Sequence, residues 1–146
     1  MLIDNYVSFE IAKMLKEKGF DEPSYKMYYQ DHKGEYHLAD DAGHTNSMWE
    51  EMFKRDGVMN YSAPTIYTVV NWLDSKGYYI SVVPYDFSVI PHDTIQSANN
   101  ITVRFSATIY KHINDEYNLF DNMSIGIYNS RKEALEESIK KCLNKI

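Results

Sequence analysis

Residues 62–77 read SAPTIYTVVNWLDSKG, and the middle of the chain depends on what Ser62 does: it is either a reactive serine on a tight loop or the start of a helix. Ile66, Val69, Val70 and Leu73 recur at i, i+3, i+4 and i+7, the pattern of an amphipathic helix. The Ser62 hydroxyl is placed to accept from a backbone N–H two or three residues on, and Pro64 falls in the first turn, where its missing N–H costs nothing. A nucleophilic serine is expected in a glycine-flanked elbow with a base nearby, and Asn60, Tyr61, Ala63 and Pro64 supply neither. Ser62 is therefore expected to cap a helix, a position where aspartate should serve as well.

The end of this segment, Leu73-Asp-Ser-Lys-Gly77-Tyr78, repeats an earlier one, Leu15-Lys-Glu-Lys-Gly19-Phe20. Upstream, Ser8 heads SFEIAKMLKEKG, with Phe9, Ala12 and the Ile11 and Leu15 pair as its apolar stripe. Gly19 is suited to the left-handed conformation that closes a helix, and Phe20 to folding back on its last turn. SYKMYYQDHKGEYHLA then reads as a hairpin about Asp31-His32-Lys33-Gly34. Ser47 and Glu50 have the spacing of a capping box, with Met48, Trp49, Met52 and Phe53 as the apolar side of a short helix closed at Gly57.

Downstream, YYISVV is a strand stopped by Pro84, and residues 84–100 read as a long loop. Ile101, Val103, Phe105, Ala107 and Ile109 alternate with Thr102, Arg104, Ser106, Thr108 and Tyr110, the clearest strand in the chain. A turn at Asn114–Asn118 leads to a partner strand with Met123, Ile125 and Ile127 on its apolar side. Ser130 and Glu133 form a second capping box, and Leu135, Ile139, Cys142 and Leu143 line the last helix. Local hairpins and single apolar faces predict one α+β domain over residues 1–146. Its expected form is two-layered, an antiparallel sheet of about five strands with three or four helices mainly on one face.

Charge narrows the function. The chain of 146 residues carries a net charge of −6. Residues 21–51 alone hold eight acids against Lys26 and Lys33, so the rest balances to zero. Phosphate-backbone binding rests on clustered Lys and Arg, so no direct nucleic-acid binding is expected. No apolar run approaches the roughly 20 residues of a membrane span, and MLIDNYVSFE lacks the basic leader and apolar core of a secretory signal. The single cysteine, Cys142, has no internal disulfide partner, which fits a reducing compartment; a cytoplasmic location is expected.

Three segments, SFEIAKMLKEKGFDEPSYKMYY, YSAPTIYTVVNWLDSKGYYISV and YNSRKEALEESIKKCL, together resemble a group of small proteins encoded by gut Bacteroidales, their phages and other mobile elements. The resemblance covers a little under half the chain. It implies one small domain in a phage or mobile-element setting and carries no activity, so it assigns no catalytic residue.

Chemistry-bearing clusters are sparse. His32, His37 and His44 lie near Asp31, Asp40 and Asp41, and His92 adjoins Asp93, but the histidine spacings match no tight zinc signature such as H-E-x-x-H. A solvated polar hairpin is expected there, with no metal, and His112 is expected to be structural. With six glycines and none clustered, neither G-x-G-x-x-G nor the P-loop pattern occurs, and no cofactor is expected. The thirteen tyrosines are the compositional excess. Tyr79, Tyr110 and Tyr128 with Arg104 are the candidate binding face, since tyrosine gives a rigid contact area with a polar tip. The reading is non-enzymatic: a protein-interaction module with a host or phage protein as partner, in which a homodimer has a place. Two alternatives are a small-ligand binder using the Tyr/Arg face and a metal-dependent enzyme around the histidine hairpin.

Overall fold

A computed structural model of the chain describes residues 5–84, 104–113, 116–119 and 126–146. The described elements run α1 (Phe9–Glu17), β1 (Lys26–Gln30), β2 (Tyr36–Asp40), α2 (Asn46–Phe53), β3 (Tyr61–Ser62), α3 (Ile66–Ser75), β4 (Tyr78–Pro84), β5 (Phe105–Ile113), β6 (Glu116–Leu119), β7 (Gly126–Tyr128) and α4 (Arg131–Leu143). The α+β class holds. The single sheet of about five strands does not, because the strands form two separate antiparallel sheets. One has the order β2-β1-β3; in the other β5 sits between β4 and β6 and also pairs with β7. The chain divides into two compact units, Met1–Trp72 with Ile139–Ile146, and Leu73–Ser138, the divisions falling inside α3 and α4.

In the first unit, α1 forms where its local signals place it. The Ser8 hydroxyl accepts from the Ile11 N–H at 3.4 Å. At the other end Gly19 takes φ +83°. The Phe20 N–H donates to the Leu15 carbonyl at 2.9 Å and the Gly19 N–H to the Lys16 carbonyl at 3.1 Å, the paired bonds of a Schellman closure. Phe20 is thereby turned inward and buried, its ring 5.5 Å from that of Trp72. Phe9 packs against Tyr28, Tyr36 and Tyr61, which share one face of the first sheet. Val7, Ile11, Ala12, Leu15 and Val69 are fully buried.

The expected cap at Ser62 is overturned. Ser62 lies in β3 opposite Met27 of β1 and is wholly buried, so the helix begins later. Its N–H donates to Asn46 Oδ1 at 3.0 Å, and its hydroxyl donates to the His44 carbonyl at 3.4 Å. Thr65 is the actual cap: its Oγ1 accepts from the Thr68 N–H at 3.1 Å, and its carbonyl accepts from the Val69 N–H. Pro64 precedes the helix, and its carbonyl accepts from the Val7 N–H at 3.0 Å. Sheet pairing and the Asn46 side chain supply Ser62 with partners from distant parts of the chain, and these outweigh its local capping propensity. Thr65→Ala should therefore cost about 1 kcal/mol in urea unfolding, the usual loss for a cap. Ser62→Asp, which a capping role would tolerate, should destabilise more than Thr65→Ala, because it buries a carboxylate in a strand.

The α2 cap also shifts. Thr45, not Ser47, caps the helix, its hydroxyl accepting from the Met48 N–H at 3.3 Å. Ser47 is instead held by Asp21, whose carboxylate accepts from its N–H at 2.7 Å and its hydroxyl at 2.6 Å. The Asp21 carboxylate thus reaches the N-terminus of α2 from elsewhere in the chain and suits its positive end.

In the second unit, Ile80 and Val82 of β4 pair with Ile109 and Ala107 of β5, and the last two residues are buried as the alternation predicts. Strand β6 begins at Glu116, inside the expected turn. Ile127 is overturned as a core residue: it pairs with Ser106 on the outward face and is about half exposed. Ile101, Val103, Met123, Ile125 and the stretch 85–100 lie outside the described residues. In α4, Ser130 caps as expected by accepting from the Glu133 N–H at 3.0 Å, while Glu133 reaches back to the Asn129 N–H. Ala134 and Ser138, rather than Leu135, are buried with Ile139, Cys142 and Leu143. Burial pushes the Cys142 thiol up to about 12, so it is a packed hydrophobe in character, as expected.

Candidate functional site

Four places carry exposed polar, aromatic or apolar clusters, and their geometry separates them. At the tip of the β1–β2 hairpin, the Asp31 carboxylate organises the turn. Its Oδ1 accepts from the Lys33 N–H at 2.8 Å and the Glu35 N–H at 2.9 Å. The Asp31 N–H donates to the Glu35 carbonyl, the Gly34 N–H donates to the Asp31 carbonyl, and Gly34 takes the positive φ of +86° that this reversal needs. Asp31 Oδ2 is left facing His37 Nε2 at 2.7 Å. The His37 hydrogen bond, followed by the backbone N–H groups, holds the Asp31 carboxyl below its usual range. One ligand atom each from Asp31, Glu35 and His37 lies within 4.8 Å of the others. His32 stands exposed in the turn outside this group.

His44, beyond the end of β2, goes elsewhere. His44 Nδ1 meets Asp41 Oδ1 at 2.7 Å, the His44 N–H donates to Asp41 Oδ2 at 2.8 Å, and the ring lies 4.6 Å from that of Trp49. Its carbonyl accepts from the Ser24 N–H and the Ser62 hydroxyl. Burial raises the Asp41 pKa, but the hydrogen bonds from His44 and the Ala42 N–H outweigh it, and the net shift is downward. His44 is thus a clamp between the end of β2, α2 and β3. Asp40 is taken by Lys26. The histidines grouped by sequence proximity therefore do not meet; His92 lies outside the described residues, and the His112 backbone closes β5 onto Gly77.

The Tyr/Arg face is partly assembled. Tyr79 and Tyr110 are cross-strand partners, so they share a face, with half-exposed Val83 and Ile127 on the same side. Arg104 stands exposed immediately before β5. Tyr128 pairs with Phe105, which places it on the other face with Ala107 and Ile109.

The fourth place was missed. Met48, Trp49, Met52 and Phe53 were expected as one apolar side of α2, yet only Trp49 of these is buried, and Met48 and Met52 are about half exposed. The side of α2 that carries Ser47, Glu50 and Glu51, with Lys54 just after it, borders an open groove of about 620 Å³, lined also by Phe53, Gly57, Val58 and Met59 and by Lys16 of α1. Val58 and Met59 are exposed apolar residues. Lys16 is engaged, its Nζ donating to the Asn60 carbonyl at 3.2 Å and lying over the Tyr61 ring. The only sequence signal was the apolar VM pair following Gly57, which no helix or strand pattern claimed.

No protein-family model, curated protein or solved structure matches the chain. Among the described residues, no helix is long and apolar enough to cross a membrane.

Proposed function

We propose that the protein is a non-enzymatic interaction module of phage or mobile-element type, which holds a basic, apolar-anchored segment of a host or phage protein in the groove of α2. The observation that carries this reading is the exposed apolar pair Val58 and Met59, which lines that groove beside Phe53. Methionine adapts its shape to irregular partners and recurs on surfaces that accept varied peptides. The charge favours a basic partner. The lining itself is balanced, Glu50 and Glu51 against Lys16 and Lys54, but both acids belong to residues 21–51, a segment whose net charge is that of the whole chain. Ser62 is wholly buried, which argues against its acting as a nucleophile. The phage or mobile-element setting rests on the resemblance of the three sequence segments. A small-ligand site on the Tyr/Arg face has weaker support, because Tyr128 stands on the opposite side of the sheet.

Fluorescence anisotropy with two synthetic amphipathic peptides, one of Leu and Lys and one of Leu and Glu, tests this. The Leu/Lys peptide should bind more tightly, less so at high salt, and Val58→Asp should weaken it by roughly tenfold or more, as for loss of an apolar anchor. Equal binding of both peptides, or binding indifferent to Val58→Asp, would overturn the proposal.

A further inference from the structure

We propose that Asp31, Glu35 and His37 form a surface site for one divalent transition-metal ion, of which zinc is the first candidate. This goes beyond the peptide groove and uses different residues. Three features of the hairpin carry it. The donor set is one imidazole nitrogen and two carboxylates, which suits zinc, cobalt or nickel; calcium and magnesium prefer all-oxygen shells. The ligand atoms already lie within 4.8 Å of one another, and Glu35 and His37 are exposed, so small side-chain rotations bring all three to the metal–ligand distances of about 2.0–2.2 Å.

The third feature is the fixing of the carboxylate before any ion arrives. Asp31 Oδ1 is pinned by the N–H groups of Lys33 and Glu35, which leaves Oδ2 as the free ligand, directed at His37 Nε2. Glu35 is tied to Asp31 twice through its backbone, by its N–H and by its carbonyl. His37 is fixed by its register opposite Tyr29, whose ring lies 5.6 Å from the imidazole. All three ligands thus come from seven consecutive residues, 31–37, on a turn that hydrogen bonds hold closed. The ion takes the place of the hydrogen bond between His37 Nε2 and Asp31 Oδ2. The remaining coordination positions face solvent and belong to water.

The test uses the full chain without a histidine tag, stripped of metal by chelation and titrated with zinc in a calorimeter, with cobalt absorption as a second readout. The expected result is one equivalent bound, a raised melting temperature and a cobalt spectrum of mixed nitrogen and oxygen ligation. His37→Gln should weaken binding by at least about tenfold, since even partners of ligating residues are worth that much, and Glu35→Gln should weaken it as well. His32→Gln should leave it unchanged. Asp31 is left intact because its loss would open the turn; circular dichroism checks that the other variants fold. Absence of zinc binding, full binding by His37→Gln, or tighter binding of calcium than of zinc would each overturn the site.

Discussion

Phe20→Ala should lower the unfolding free energy by about 3–5 kcal/mol, the range for truncating a buried phenylalanine. Phe20 is about 1% exposed and stands at the point where the closure of α1 turns the chain inward. Its ring meets Trp72 edge-on, at 73° between planes, an arrangement that adds to the simple burial of area. Removing the ring leaves a cavity beside Trp72, and the backbone bonds of the Schellman closure offer no compensation. Urea unfolding followed by tryptophan fluorescence reads this directly, because both tryptophans, Trp49 and Trp72, lie in the same unit. The midpoint should fall with little change in slope. Phe20→Leu, which keeps more of the volume, should cost less than about 1.5 kcal/mol. Equal and small losses in both variants would show that Phe20 is not a core anchor.

Asn46→Ala should cost about 2–5 kcal/mol, although it removes few atoms. The Asn46 side chain is buried and makes two hydrogen bonds to separate parts of the chain. Its Nδ2 donates to the Phe20 carbonyl at 2.9 Å, and its Oδ1 accepts from the Ser62 N–H at 3.0 Å. Truncation leaves a buried carbonyl and a buried N–H without partners, each worth about 1–3 kcal/mol. Asn46→Asp separates this role from helix propensity. Asp at the first helical position suits the helix dipole, but it cannot donate to the Phe20 carbonyl and sets a carboxylate against it. A loss in Asn46→Asp comparable to that in Asn46→Ala is the expected result. An unchanged or raised midpoint would mean that the residue acts only as a helix starter. Because Asn46 bonds to the Phe20 backbone, the two alanine substitutions should not add.

Helix ends and the hairpin turn were legible in the sequence because their partners lie within a few residues. Ser8 bonds to Ile11, Ser130 to Glu133 and Phe20 to Leu15, and the Asp31 turn closes on Glu35. Period-two alternation likewise placed Ala107 and Ile109 in a core. The candidate metal cluster was half legible: Asp31 and His37 were singled out, but Glu35 was not, because grouping by histidine spacing ignores the turn that folds Glu35 back onto Asp31. The groove was not legible, since Val58 and Met59 belong to no helix or strand pattern and read the same whether a neighbour covers them or not.

The sequence by itself determined the α+β class, the acidic character, the ends of α1, the cap of α4 and the β1–β2 reversal. Each of these is fixed by composition or by hydrogen bonds that close within about five residues. The tertiary structure decided the rest. Ser62 became a strand residue because Asn46 and Met27, 16 and 35 positions away, claim it. Thr45 and Asp21 took over the start of α2. Ile127 and Tyr128 exchanged their expected faces because the pairing of β7 with β5 sets their register. A capping hydroxyl or an alternating strand states only a local preference of about a kcal/mol. Burial and long-range backbone pairing are worth more, and they select among such preferences only when the distant partner is in place.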